Sequence, residues 1–149
     1  MKLRDRDIEI LKFLNKDSRI SLRHIAKELG VSPTTVSNSV QRMKDEGVID
    51  KFNLKLNFGK LGYSLTAVIK VKAKSDDLSK VLEELENYDC LTHIYETTGD
   101  FDIISIGKFK SREEMTEQLV DLVQCPHVET TNTSLVLSTI REYDNTGLV

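Results

Sequence analysis

The sequence predicts an α+β fold in two parts, a three-helix helix-turn-helix domain followed by a βαββαβ sheet domain. Three observations carry this. Apolar residues recur at helical spacing as far as about Gly47 and at a spacing of two from about Leu65. Two helical patterns stand on either side of only Gly30-Val31-Ser32. Charge reverses between the halves: residues 1–60 hold 13 Lys and Arg against 8 Asp and Glu, whereas residues 61–149 hold 8 against 16. The net charge of -3 therefore averages a +5 half and a -8 half. Such a division suggests one part that faces nucleic acid and one that is kept off it.

The first helix is expected from about Arg4 to Asn15, with Ile8, Leu11 and Phe13/Leu14 inward. Lys16-Asp17-Ser18-Arg19 breaks it. Leu22, Ile25, Ala26 and Leu29 then fall at i, i+3, i+4 and i+7, one apolar stripe. Ser21 is its expected N-cap and Gly30 its C′ residue. Ser32 caps the next helix, with Pro33 at the first helical position. Val36, Val40 and Met43 form its buried stripe, and Gly47 ends it. Two helices joined this tightly make a helix-turn-helix. An extended stretch follows from Val48 to about Leu56.

At 100° per residue from Val36, the side chains of Thr34, Asn38 and Gln41 point within about 40° of the opposite direction. Thr35, Ser37 and Arg42 flank that face. Amides pair bidentately with adenine and guanidinium with guanine in a major groove. A merely solvated helix face would more usually carry Lys and Glu. Arg23 and Lys27 on the preceding helix are candidate phosphate contacts, which position without specifying.

In the second half Leu65, Ala67, Ile69, Val71 and Ala73 alternate with Thr66, Val68, Lys70, Lys72 and Lys74, a strand with one buried face. Ser75 is the expected cap of a helix with the stripe Leu78, Val81, Leu82 and Leu85. A strand is expected over Leu91–Thr97, a tight connection at Gly99-Asp100, and a paired strand over Phe101–Phe109. Ser111 and Glu114 read as a capping box for a helix whose apolar side is Met115, Leu119, Leu122 and Val123. Val128–Ile140 reads as the last strand, with Thr131, Thr133, Leu135 and Leu137 on one face. The order βαββαβ is ferredoxin-like, with two helices on one side of an antiparallel sheet. The other face carries apolar residues, which marks a subunit interface.

The expected domains are 1–50 for DNA binding, 51–62 as an extended ribbon or linker, and 63–149 as the sheet domain for oligomerisation. Hydrophobic residues at 39% and charged residues at 30% suit a soluble globular chain. Apolar runs of about five residues are too short to cross a membrane. No apolar region follows Met1-Lys2-Leu3-Arg4-Asp5, so the expected location is cytoplasmic. His24, His93 and His127 lack metal-ligand spacing with Cys90, Cys125 or a carboxylate pair. No P-loop, Gly-rich cofactor loop or Ser-His-Asp order is present, so neither a cofactor nor an enzymatic activity is expected.

The whole chain resembles the Lrp/AsnC, or feast/famine, family of transcription regulators. Asp7-Ile8-Glu9-Ile10-Leu11 resembles the family's opening helix, and Asp17-Ser18-Arg19 its D-x-R loop. Ile25-Ala26, Gly30-Val31-Ser32, Val36, Arg42 and Gly47-Val48-Ile49 follow its helix-turn-helix pattern. Thr98-Gly99-Asp100-Phe101-Asp102 looks like its G-x-[YF]-D turn. Val128, Thr131 and Thr133 match the start of its last strand. One departure is Ser39, where the family commonly has Arg, so a phosphate or base contact is expected to be missing or moved. The resemblance implies a winged-helix DNA-binding domain and a ferredoxin-like (RAM) domain. It implies double-stranded DNA as partner, and a homodimer that assembles further, commonly to an octamer. It also implies an amino-acid effector bound between dimers near Thr98, Gly99, Asp100 and Asp102, with Thr131 and Thr133 further candidates. A Gly turn exposes N–H groups to a carboxylate, and an Asp can hold an α-ammonium. A contrasting reading is an amino-acid-sensing module that acts through protein contacts rather than DNA.

Overall fold

A computed structural model describes residues 3–142 of the chain, which divides after Lys55 into two compact units. In the first, α1 is Asp5–Lys16, α2 Leu22–Glu28 and α3 Pro33–Asp45. The hydroxyls of Ser21 and Ser32 accept from the N–H groups of His24 and Thr35, satisfying donors that a helix start leaves open. Gly30, at φ +64°, ends α2. The Val31 N–H then reaches the Ala26 carbonyl at 2.9 Å, so the turn into α3 is closed by hydrogen bonds and held by a left-handed glycine.

Ile10, Leu14, Ile25, Ala26, Val36, Val40, Met43 and Ile49 form the core of this unit. The stripe of α1 differs from the expected one. Asp7, Ile10 and Leu14 are its buried residues, whereas Ile8, Leu11 and Phe13 are half-buried. An acid at the head of the stripe shifted the apolar count by a fraction of a turn. The extended stretch Val48–Leu56 pairs with no strand among the described residues, and Phe52, Leu54 and Leu56 lie exposed along it. A 3₁₀ turn over Gly59–Leu61 follows, which the sequence did not announce.

The second unit is a four-stranded antiparallel sheet in the order β2-β3-β1-β4. Its strands are β1 Leu65–Ala73, β2 Leu91–Glu96, β3 Ile103–Phe109 and β4 Val128–Leu135. Helices α4 Leu78–Leu85 and α5 Arg112–Gln124 cover one face. Val81, Leu85, Met115 and Leu122 from the helices pack on Ala67, Ile69, Val71, Ile103 and Phe109 from the strands. The uncovered face carries Val68, Ile104, Ile106 and Tyr95, with Val68 beside Ile106 and Ile104 beside Tyr95.

Three element ends depart from expectation. Asp77 rather than Ser75 stands before α4, its carboxylate held by Lys80 at 2.7 Å and His127 at 3.1 Å. These two partners keep the Asp77 carboxyl below its ordinary pKa. Ser111 does cap α5, but the Glu114 carboxylate accepts from the Lys110 N–H rather than completing the box on Ser111. The last strand stops at Leu135, and Leu137 and Ile140 beyond it are exposed.

Candidate nucleic-acid interface and effector turn

The α3 helix buries Val36, Ser39, Val40 and Met43 and leaves Thr34, Ser37, Asn38 and Gln41 exposed. The apolar stripe thus turns the polar face outward, away from the core of its unit. The Gln41 amide donates to Asp45 along the helix at 2.7 Å, a contact that a base edge could replace because both groups are exposed. Thr35 is half-buried, with its hydroxyl 2.8 Å from that of Ser32 at the helix cap. Arg23 and Lys27 are exposed one turn apart on α2.

Arg42 is placed differently from the expectation of a DNA contact. Its Nη2 lies 2.6 Å from Oδ2 of Asp7, whose side chain is 0% exposed against 29% for Arg42. Oδ2 also accepts from the Arg4 N–H at 2.9 Å. Burial pushes the Asp7 carboxyl up, but the Arg4 N–H and Arg42 outweigh it and hold the pKa below the ordinary carboxylate value. Its stabilising contribution is therefore present above the unfolded pKa and lost as pH falls through the folded one. Ser39, one turn before Arg42, is also buried. Sequence reasoning missed Asp7 as the buried partner of Arg42. The available signal was its place at i of the stripe Asp7, Ile10, Leu14.

Thr97 and Asp102 close the connection between β2 and β3, with the Thr97 N–H donating to the Asp102 carbonyl at 2.7 Å. Thr98, Gly99 and Asp100 are exposed at its tip, and Gly99 adopts φ +119°, a left-handed conformation that favours glycine. The Asp102 carboxylate anchors the turn to β1: its Oδ2 accepts from the Ala73 N–H at 2.9 Å. Phe101 lies under the Lys70 ammonium, 5.9 Å from the ring centroid. Thr131 pairs with Val71 on the far side of β1, and Thr133 with Ile69. Two strand spacings, roughly 10 Å, therefore separate Thr131 from the β3 side that carries the turn. The described residues contain no group of His, Cys, Asp and Glu side chains able to hold a metal, and no helix long and apolar enough to cross a membrane.

Residues 3–50 match the winged helix-turn-helix DNA-binding family, and residues 66–146 match the Lrp/AsnC ligand-binding domain. The chain belongs to the Lrp/AsnC family. A helix-turn-helix-type transcriptional regulator of Pyrococcus furiosus is 40% identical, over 95% of this chain and 96% of its own length. The structure of AsnC from E. coli is 28% identical with a TM-score of 0.91, over 95% of this chain and 97% of that one. A transcriptional regulator of Neisseria meningitidis, solved as a complex with L-Met, is 19% identical with a TM-score of 0.88, over 95% of this chain and 94% of that one. This chain is a DNA-binding transcription regulator with a ligand-binding domain, not an enzyme.

Proposed function

We propose that α3 reads DNA sequence through Thr34, Ser37, Asn38 and Gln41, while Arg23 and Lys27 contact phosphate. One observation carries this: the exposed hydroxyl and amide face of α3, fixed opposite Val36, Val40 and Met43 behind a closed turn. Residues 1–50 would bind DNA, 51–62 connect, and 63–149 assemble and sense, in the cytoplasm. A homodimer formed over the uncovered sheet face would bury Val68, Ile104, Ile106 and Tyr95. It would present two copies of α3 to half-sites about one turn, roughly 34 Å, apart or a multiple of that. Val120 and Val123, exposed on α5, supply apolar surface for assembly beyond the dimer, as in an octamer.

A footprinting titration on the region upstream of the protein's own coding sequence tests the DNA reading. Protection over a pseudo-palindrome is expected, with affinity that falls steeply as salt rises. Binding that ignores salt, or no binding to any duplex, overturns it and leaves the protein-contact reading.

The effector is an amino acid, on this proposal, bound between dimers against the exposed Gly99 turn. The methionine in the Neisseria relative supports that ligand class. Asp100 is the exposed carboxylate for the α-ammonium, with Thr98 beside it in the turn; Thr131 and Thr133 on β4 are further candidates beyond β1, and Asp102 holds the turn in place. A bridging ligand would shift the oligomer population. Sedimentation with each of the twenty amino acids is expected to show a change of mass with at least one. Unchanged mass and unchanged melting with all twenty would remove the effector from the scheme.

A further inference from the structure

We propose that Asp7 is a positioning residue for DNA recognition: through Arg42 it fixes the rotation of α3 and keeps that arginine off the DNA. The inference rests on the DNA-binding reading of the first unit. Asp7 is the one acid in the buried stripe of α1 and lies 35 residues from its partner in sequence. Its Oδ2 takes two donors, Arg42 from α3 and the Arg4 N–H at the start of α1. A buried charge is costly unless paired, so removal of either partner leaves an uncompensated group. The pair is therefore a tether between α1 and α3 with a fixed geometry, unlike an apolar contact, which tolerates sliding.

Its place on α3 gives that geometry a consequence for recognition. Arg42 is one turn beyond Asn38 and next to Gln41. A guanidinium pinned at 2.6 Å sets how far this flank of α3 can roll, and with it the direction in which Asn38 and Gln41 point. Ser39 sharpens the assignment. A second arginine there, as in the family pattern, would stand beside the same carboxylate and compete with Arg42 for it. With Ser39, Arg42 has the carboxylate to itself. The Ser39 hydroxyl helps keep Asp7 ionised, yet Oδ1 makes no hydrogen bond of good geometry.

The test compares two duplexes, the footprinted operator and an unrelated duplex of equal length, across a salt series with the full-length protein. Arg42→Gln is expected to lower operator affinity roughly tenfold, the cost of about one displaced base contact. Affinity for the unrelated duplex and the slope of log affinity against log salt should stay unchanged. A merely structural role would not move the ratio between the duplexes at temperatures well below unfolding. Arg42→Lys, which keeps the charge but loses the fork, should lie between wild type and Arg42→Gln. If Arg42→Gln instead weakens both duplexes alike and reduces the salt slope by about one, Arg42 is a phosphate contact and the proposal is wrong. An unchanged ratio with unchanged slope overturns it equally. Asp7→Asn supplies the second arm: combined with Arg42→Gln it should lower the ratio no further than one variant alone, and an additive further loss counts against the tether. Failure of the wild type to distinguish the two duplexes at all is a failure of the DNA reading, not of this one.

Discussion

Replacing Asn38 and Gln41 together by alanine is expected to abolish operator recognition while leaving the fold slightly more stable. Each amide can make a bidentate pair worth about 1–3 kcal/mol of discrimination against the wrong base. Loss of both therefore costs roughly thirtyfold or more per half-site, and a dimer on a two-fold operator carries the loss twice. Both side chains are exposed in the free protein, and Gln41 hydrogen-bonds to the exposed Asp45. No buried contact is lost with them, and alanine has the higher helix propensity. Arg23 and Lys27 are untouched, so binding to an unrelated duplex and its salt slope should persist. The measurement is a pair of titrations, operator against unrelated DNA, beside a thermal melt. Operator affinity within about twofold of wild type, well inside the cost of even one such pair, would remove α3 as the reading element and favour recognition through protein contacts.

What was legible in the sequence follows from what is local. Val36, Val40 and Met43 repeat with the helix, and Ala67, Ile69 and Val71 repeat with the strand, so their burial follows from period alone. Ser21, Ser32 and Ser111 cap their own helices through N–H groups three residues on. What was not legible depends on partners far along the chain. Asp7 looks like a solvated acid until Arg42 arrives 35 residues later. Nothing local in the sequence shows that Asp102 accepts from the Ala73 N–H, 29 residues away. Phe52, Leu54 and Leu56 alternate like a strand, but a ladder needs a neighbour for its N–H and C=O groups, and period says nothing of neighbours. The polar outward face of α3 was visible because it is the complement of an apolar stripe. The division of labour within it, with Thr35 at the cap and Arg42 tethered, required the fold.

Gly107→Ala is expected to destabilise the sheet unit by about 1–3 kcal/mol, the range for adding a methyl group to a filled core. Gly107 lies in β3 opposite Ala67 of β1 and Leu91 of β2, on the face that α4 and α5 cover. A Cβ there would sit 2.7 Å from two ring carbons of Phe109 and 3.4 Å from Leu91 Cδ2. The reason for glycine is thus the ring and not the backbone, since Gly107 is absent from the positive-φ positions. Phe109 folds back over its own strand and is 0% exposed, so its ring can yield only by displacing the core around it. For a unit of this size, 1 kcal/mol corresponds to roughly 4–8 °C in melting temperature, so the shift is easily read by calorimetry. A double-mutant cycle identifies the cause. Phe109→Leu alone should destabilise by opening space, yet it removes the ring that a methyl group added at Gly107 would strike. The double variant should therefore be more stable than the sum of the single effects predicts, by an interaction energy of about 0.5–3 kcal/mol. Simple additivity would mean that something other than the Phe109 ring excludes a side chain at this position.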